Sequence, residues 1–567
     1  MFVNTFSRRL VFILSSVSIL LCIGYVLFYP IFISNNIVLN YGINPFNITA
    51  QSPELWLFIK KSYVITYIFS SLVISNYIYS ILFSKKFSKK ESTYLTSLGN
   101  GINLFVGFSD NHKIYLPEKS LFQNILITGT IGTGKTSSAM YPFTKQLISY
   151  DSFFSNSKIG MLILDVKGNY YKQVYEYSKL YDRQDDLIII ELKGNIKYNP
   201  LDKPNLKPTV LANRLKTILT LFSQNNSESY WLDKAEAALS ECIKLCRLYN
   251  NGYVSFSELH KLITIPTYYK EKLSILRNLF ISGKLSKENA FDLLSSIEFF
   301  EKEFNSLDPR TSAILKSEIT RITGAFVSDL DVLNTFCPSK EELNFTGFKD
   351  VVNNGKIVIL NMNISEYRNL SKIIAAYLKL DFQTEVLSRL SNYPSDELKK
   401  VAFISDEFHE YVTDTDADFF AQSREAKCIN IVATQSYTSL LNSIKNEYTV
   451  KAIIQNLVNK FWFRTDDLFT IEEAQKQIGK EEKLKQSKSI SENSKETNFN
   501  YLTHRFSSIG SNVSESINNY TQFDYIYDTN FFTQQLETFS CLAFLSSGNK
   551  ILPPQKITLI PYFKNDT

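Results

Sequence analysis

Residues 124–138, NILITGTIGTGKTSS, decide how the rest of the chain is read. Asn124–Thr128 is an apolar run of strand length, 129–134 is glycine-rich, and Lys135 stands where a helix would begin. Gly129, Gly134, Lys135 and Thr136 satisfy the G-x-x-x-x-G-K-[ST] spacing of a phosphate loop. Glycines let such a backbone curl around phosphates, so that several N–H groups at a helix N-terminus point inward. Gly129, Thr130, Ile131, Gly132, Thr133, Gly134, Lys135, Thr136 and Ser137 are the expected cradle. Lys135 would neutralise the β- and γ-phosphates, and the Thr136 hydroxyl would ligate Mg²⁺. The expected ligands are ATP and Mg²⁺.

The chain has 567 residues, enough for about three or four domains. At 44% hydrophobic and 14% aromatic it can fill large cores, and its net charge of +5 neither demands nor excludes a polyanionic partner. Six cysteines are scattered without a disulfide framework or a C-x-x-C pair, which suits a reducing compartment. The histidines, His112, His260, His409 and His504, stand apart and give no zinc-ligand spacing.

No charged residue occurs between Leu10 and Pro53, and LVFILSSVSILLCIGYVLFYPIFI within it is long enough to cross a hydrocarbon core of ~30 Å. A second uncharged run covers Ser62–Ser84. Arg8 and Arg9 precede the first run, and Lys85, Lys86, Lys89 and Lys90 follow the second. Positive flanks at both outer ends predict two transmembrane helices with both termini in the cytoplasm. Lys60 and Lys61 lie at the wrong end of the second run, where their long stems could snorkel. The expectation is a multi-pass protein of the cell (inner) membrane, with everything after Lys90 in the cytoplasm.

Asn103–Phe108 and Ile114–Pro117 read as a β lead-in. Strand Asn124–Thr128, helix Lys135–Ser149 and strand Gly160–Asp165 then make a βαβ unit, the start of a parallel sheet. From about Pro208 to Lys349 the period is helical. One helix over Tyr230–Tyr249 lines up Leu232, Ala235, Leu239, Cys242, Ile243 and Cys246. Strand signals resume at Lys356–Met362, Val401–Ser405, Ile429–Ala433, Phe539–Leu545 and Lys556–Pro561. Most of Asp466–Asn500, rich in Lys, Ser and Glu, reads as an exposed loop. The predicted division is a membrane anchor over 1–90, a nucleotide-binding domain over 91–205 and 350–567, and an all-α insertion over 206–349. The fold class is α/β, a RecA-like phosphate-loop NTPase with a mainly parallel sheet.

A phosphate-loop enzyme needs a second strand that ends in a carboxylate for Mg²⁺. MLILD ends at Asp165, and VAFISDE ends at Asp406–Glu407. Only the second has an adjacent acid that could orient and deprotonate water. The strand of Asp165 directly follows the phosphate-loop helix, and a RecA-like order puts it at the sheet edge. Asp406 is therefore assigned to Mg²⁺ and Glu407 to the water. Gln435 closes the next strand, where a polar side chain could sense the γ-phosphate. Arg424, in QSREA, reads equally as a solvated helix arginine or as an arginine finger for a neighbouring subunit.

These motifs, taken in order, resemble the type IV secretion coupling proteins, the DNA-transfer ATPases of conjugation. The resemblance rests on the two apolar runs, GTIGTGKTSS, DVKGN at Asp165–Asn169, NPLD at Asn199–Asp202 and a Trp231-led helix. It continues through SDEF at Ser405–Phe408, SREA at Ser423–Ala426 and ATQS at Ala433–Ser436. DVKGN departs from the family's commoner D-P-K-G-E at Val166 and Asn169. The resemblance implies a membrane-anchored homo-hexamer that drives DNA, with attached relaxase, toward a type IV secretion channel. It also implies a helical domain that recognises the relaxosome. Two other readings fit much of the same pattern: a chromosome-segregation DNA pump, and a receptor that docks protein effectors without moving DNA.

Overall fold

The structure is a computed structural model that describes residues 15–24, 53–83 and 101–564, apart from 111, 155–156, 223–228, 395–396, 494–498, 501–504 and 507–511. The chain packs as two compact units, Met1–Thr96 and Ser97–Thr567.

In the first unit, residues 15–24 are helical and a long helix covers Pro53–Phe83. The two meet where the Tyr67 hydroxyl donates to the Leu20 carbonyl at 2.8 Å, and a Cβ at Gly24 would fall on the Tyr67 ring. Among the described residues no helix is long and apolar enough to cross a membrane, so the two spanning helices expected from the sequence find no support in the structure. Most of the first apolar run lies outside the described residues, and Pro53–Phe83 carries Glu54, Lys60 and Lys61 in its first turns.

The second unit is built on an eleven-stranded sheet in the order β2-β1-β15-β14-β9-β3-β8-β7-β4-β6-β5. The strands are β1 Asn103–Ser109, β2 His112–Pro117, β3 Ile125–Thr128, β4 Gly160–Leu164, β5 Leu187–Ile190, β6 Ile357–Leu360, β7 Val401–Ser405, β8 Cys428–Thr434 and β9 Asn459–Phe463, then β14 Ser540–Phe544 and β15 Gln555–Thr558. From β9 to β5 the neighbours pair in parallel; β14, β15, β1 and β2 extend the sheet antiparallel. The parallel strands are continuous apolar runs because both faces are covered. Ile125, Ile127, Ile163 and Ile404 pack on one face; Leu126, Leu162, Leu164 and Phe403 pack on the other.

β4 is interior, between β7 and β6, which corrects the expectation that the strand of Asp165 lies at the edge. The edge belongs to β5, whose run Leu-Ile-Ile-Ile was not read as a strand. Its partner β6 arrives only after the helical segment, so no local signal revealed the pairing.

Helices occupy most of the interval between β5 and β6. Ser229–Tyr249 buries Leu232, Ala235, Leu239, Cys242, Ile243 and Cys246 in a core shared with one face of the sheet. Local chemistry sets the helix starts. Ser255 accepts from Glu258 N, and Asp308 accepts from Arg310 N and Thr311 N ahead of Pro309 at the first helical position. The NPLD motif forms the entrance to this segment: Asn199 donates to the Val254 carbonyl at 2.7 Å and accepts from Leu201 N at 3.0 Å. Beside it, Asp381 on the helix Ile364–Asn392 takes the Tyr198 hydroxyl at 3.0 Å, Lys203 at 2.7 Å and Arg214 at 3.2 Å.

The described residues of 466–500 do not form the exposed loop expected from their composition. Leu468–Ile478 is a helix capped by Asp467, with Ile471 and Ala474 buried. It leads into β10, Lys480–Asn493, which pairs along its whole length with β13, Asn512–Tyr525. A smaller pairing joins β11 Phe499–Asn500 to β12 Arg505–Phe506. Polar composition misled the reading, because a ribbon open to solvent can satisfy its backbone across the pair while its side chains stay hydrated.

The turn after β7 is held by a buried ion pair. Lys379 and Asp416, both fully buried, bond each other, and Lys379 also donates to the Tyr411 carbonyl at 2.8 Å and the Thr413 hydroxyl at 2.9 Å. Lys379→Met leaves the Asp416 carboxylate buried and uncompensated, a cost of about 3–5 kcal/mol. A clear drop in the thermal unfolding midpoint is expected; an unchanged midpoint would show that the pair contributes nothing.

Candidate nucleotide and metal site

The phosphate loop joins β3 to a π-helical turn, Lys135–Met140, that runs into the helix Tyr141–Ser149. Its glycines are needed for different reasons. Gly129 lies against β9, where a Cβ would come within 2.6 Å of the Phe463 Cβ. Gly134 has φ +95°, and a Cβ there would meet the Phe539 ring at 2.4 Å. Gly132 has φ +81° with open space around it.

Three strands anchor the loop. Gly129 N donates to the Gln435 carbonyl beyond β8 at 3.2 Å, and Thr130 N donates to the Arg464 carbonyl beyond β9 at 2.9 Å. Thr133 O accepts from Phe539 N, next to β14, at 3.0 Å. Thr133 also donates its hydroxyl to Thr130 O at 2.8 Å, Ser137 donates to Gly134 O at 3.2 Å, and Ile131 stands exposed at the tip.

Lys135 is buried and donates to its own loop, to the Gly129 and Thr130 carbonyls. Burial lowers its pKa, against the pull of Glu407 and Asp406. The Thr136 hydroxyl donates to Asp406 Oδ2 at 2.9 Å, so the loop and the end of β7 meet at the atoms a magnesium ion would use. Asp406 Oδ1 accepts from Glu407 N at 3.1 Å. Among the described residues no cluster of three or more potential side-chain ligands forms. Mg²⁺ needs none, since it keeps several waters and takes phosphate oxygens with one or two protein groups.

Burial drives Asp406 up to about 6, the neighbouring Glu407 adding to the shift and Lys167 opposing it. Glu407 moves the other way: burial would raise it, but the Lys167 ammonium outweighs burial and holds it below the usual carboxylate range. Its backbone is left-handed at φ +48°, ψ +47°, a costly conformation for a residue with a Cβ, held by Glu410 N donating to its carbonyl at 3.0 Å. Lys167 Nζ lies 3.0 Å from Glu407 Oε1 and 3.9 Å from Asp406 Oδ2. Glu407 Oε2 is buried and has no hydrogen-bond partner among the described residues; His409 Nδ1 is 3.8 Å away. Tyr411 braces this corner, donating to the Asp406 carbonyl at 2.7 Å and the Leu164 carbonyl at 3.1 Å.

Asp165 is occupied elsewhere. Its oxygens accept from Lys167 N, Asn169 N and Tyr170 N at 3.0–3.1 Å, which fixes the loop and starts the helix Tyr170–Leu180. The structure thus brings Lys135, Thr136, Asp406 and Glu407 together and leaves Asp165 to a structural task. Gln435 lines a cleft of about 600 Å³ with Thr130, Ile131, Thr438, Asp466 and Asp467. Arg424 is exposed in the turn before β8, at the opposite end of that strand from the phosphate loop, and does not join the site of its own chain. Lys167, His409 and Tyr411 were not assigned a role from the sequence. Only Lys167 carried a signal, as a lysine two positions after an acidic strand end.

Residues 312–511 match the family model of the type IV secretion-system coupling protein DNA-binding domain, a stretch that contains Asp406, Glu407, Arg424 and Gln435. No curated protein matches the chain. Among solved structures, the bacterial conjugative coupling protein TrwB in an unbound form aligns over 83% of this chain and 91% of its own, at 13% identity and a TM-score of 0.53. The plasmid coupling protein TrwB with ADP and Mg²⁺ aligns over 84% and 92%, at 12% identity and a TM-score of 0.54. The same protein with the ATP analogue ADPNP gives 84%, 92%, 11% and 0.51. At these identities the likeness shows a shared RecA-like fold.

Gly134→Ala, strained and in collision with Phe539, abolishes binding of a fluorescent ATP analogue, whereas Gly132→Ala, with open space, weakens it less; equal effects would contradict the packing argument. Asp406 must lose a proton to hold a cation, and its raised pKa puts that loss near pH 6. The Mg²⁺ needed for half-maximal nucleotide binding therefore rises about tenfold per pH unit below 6 and levels off above it. A flat profile from pH 5 to 7 would exclude Asp406 as the titrating ligand.

Residues 312–511 are thus similar to the DNA-binding domain of type IV secretion-system coupling proteins, and the chain shares the fold of the TrwB structures.

Proposed function

We propose that the chain is an ATPase that drives DNA, with its attached relaxase, into a type IV secretion channel. The observation that carries the catalytic part is the contact of Thr136 with Asp406 beside a buried Glu407 oxygen that has no partner. In this reading Thr136 and Asp406 hold Mg²⁺, which supplies charge neutralisation at the β- and γ-phosphates. Lys135 leaves its loop carbonyls for those phosphates. Glu407 accepts the proton of the attacking water, a task worth about 10²–10⁴ in rate. Gln435, tied to the loop through its carbonyl, reports the presence of the γ-phosphate to β8.

Arg424 is read as acting on a neighbouring subunit, since it stands at the far end of β8 from its own loop. That reading goes with a homo-hexamer. The apolar runs near the N-terminus are read as a membrane anchor that keeps the ATPase at the cytoplasmic face of the inner membrane. The DNA-binding domain match over 312–511 and the coupling-protein fold support DNA as the cargo over protein effectors.

Glu407→Gln tests the assignment and the cargo together. The variant should bind ATP with near wild-type affinity, hydrolyse it at least about 100-fold more slowly, and co-purify with DNA after crosslinking in donor cells. Retained hydrolysis would remove Glu407 from its role. Trapped protein cargo without DNA would favour the effector-receptor reading.

A further inference from the structure

The loop after β4, Asp165-Val-Lys-Gly-Asn169, is built to hold one side chain in one place. Asp165 uses both carboxylate oxygens on backbone N–H groups of the loop and of the helix that follows. Val166 is buried, and its carbonyl accepts from Ile364 N at 2.9 Å. Gly168 has φ +66°, and a Cβ there would press on the Asn363 backbone at 3.1–3.2 Å. Of the two exposed residues of the loop, Lys167 and Asn169, Lys167 carries the charge and reaches the acid pair. β4 and β7 pair with Leu164 opposite Ser405, so the register itself sets this lysine beside Asp406 and Glu407.

We propose that Lys167 is the positioning residue for the hydrolytic water: it holds Glu407 by Oε1 and so presents Oε2 to that water. This assignment rests on the ATPase reading above. A carboxylate held at one oxygen by a single ammonium has its other oxygen directed, and here that oxygen is buried without a partner among the described residues. A buried acceptor left unpaired costs about 1–3 kcal/mol, so the site gains when a water donates to it. Lys167 lies nearer Glu407, at 3.0 Å, than Asp406, at 3.9 Å, which fits a carboxylate-orienting role better than service as a stand-in for the metal. Lys135 already supplies the phosphate-directed ammonium. In the step that Lys167 prepares, the water oxygen bonds to the γ-phosphorus and its proton passes to Glu407 Oε2. The bond from that phosphorus to the β,γ-bridging oxygen breaks, with the electron pair leaving on ADP.

The test compares ATP turnover by the full-length chain with that of Lys167→Met and Lys167→Arg, alongside equilibrium binding of a fluorescent ATP analogue. Lys167→Met keeps the aliphatic stem, and half of the wild-type side chain is exposed, so the substitution removes a charge without opening a cavity. The expected result is a kcat about 10–100-fold lower, with KM and analogue affinity within about threefold of wild type. Lys167→Arg, which keeps the cation, should recover turnover well above the Met variant. A Lys167→Met kcat within about threefold of wild type overturns the proposal. So does a parallel collapse of analogue binding, which would make Lys167 a phosphate ligand. A wild-type chain without ATP turnover removes the ATPase reading itself, and the positioning role falls with it.

Discussion

Two neighbouring carboxylates at the buried end of a central strand pose the physical problem that much of this structure answers. Asp406 and Glu407 sit where water is scarce, and each raises the cost of ionising the other. The answer is asymmetric. Asp406 feels Lys167 only from 3.9 Å and accepts from the Thr136 hydroxyl and a backbone N–H, and burial keeps it hard to ionise. Glu407 takes the Lys167 ammonium and stays ionised to lower pH. One pair of like residues thereby acquires two different proton affinities. Such divergence keeps Glu407 ionised, and able to accept a hydrogen bond from water, at a pH where Asp406 still carries its proton.

That asymmetry depends on elements far apart in the chain. Thr136 arrives with the phosphate loop after β3, Lys167 with the loop after β4, and the acids with β7. The left-handed backbone at Glu407 persists because Tyr411 ties down the Asp406 and Leu164 carbonyls, while Lys379 and Asp416 lock the turn that follows. The phosphate loop is held as firmly, with contacts to the residues after β8 and β9 and just before β14. Movement of the loop around a ligand would be felt directly at all three strand ends. One of them continues through the helix Leu468–Ile478 into the β10–β13 ribbon.

Much of the fold was legible because parallel strands buried on both faces must be apolar throughout. β3, β4, β6, β7 and β8 stand out in the sequence for that reason, and the stripe from Leu232 to Cys246 fixed the longest helix of the helical segment. The failures share another cause. β5 is four residues long and its sheet partner, β6, lies beyond the helical segment, so nothing local separates it from a buried turn. The ribbon strands are polar because solvent reaches them, and a polar strand is recognised by its partner, which sits 45 residues away in the pairing Lys480 with Tyr525. Pairing is a tertiary fact, and composition does not contain it.

For the site the division is equally physical. The sequence by itself determined the phosphate loop, because the spacing of Gly129, Gly134, Lys135 and Thr136 is dictated by local backbone geometry around phosphates. It also favoured Asp406–Glu407 over Asp165, through the chemistry of an acid pair. Only the tertiary structure decided why Asp165 is excluded: its oxygens are spent on backbone N–H groups, although its strand is interior and pairs with that of Asp406. The tertiary structure also brought Lys167 to Glu407 and left Arg424 at the far end of its strand. Such placements follow from strand order and register, which arise when distant segments compete to bury the same apolar faces.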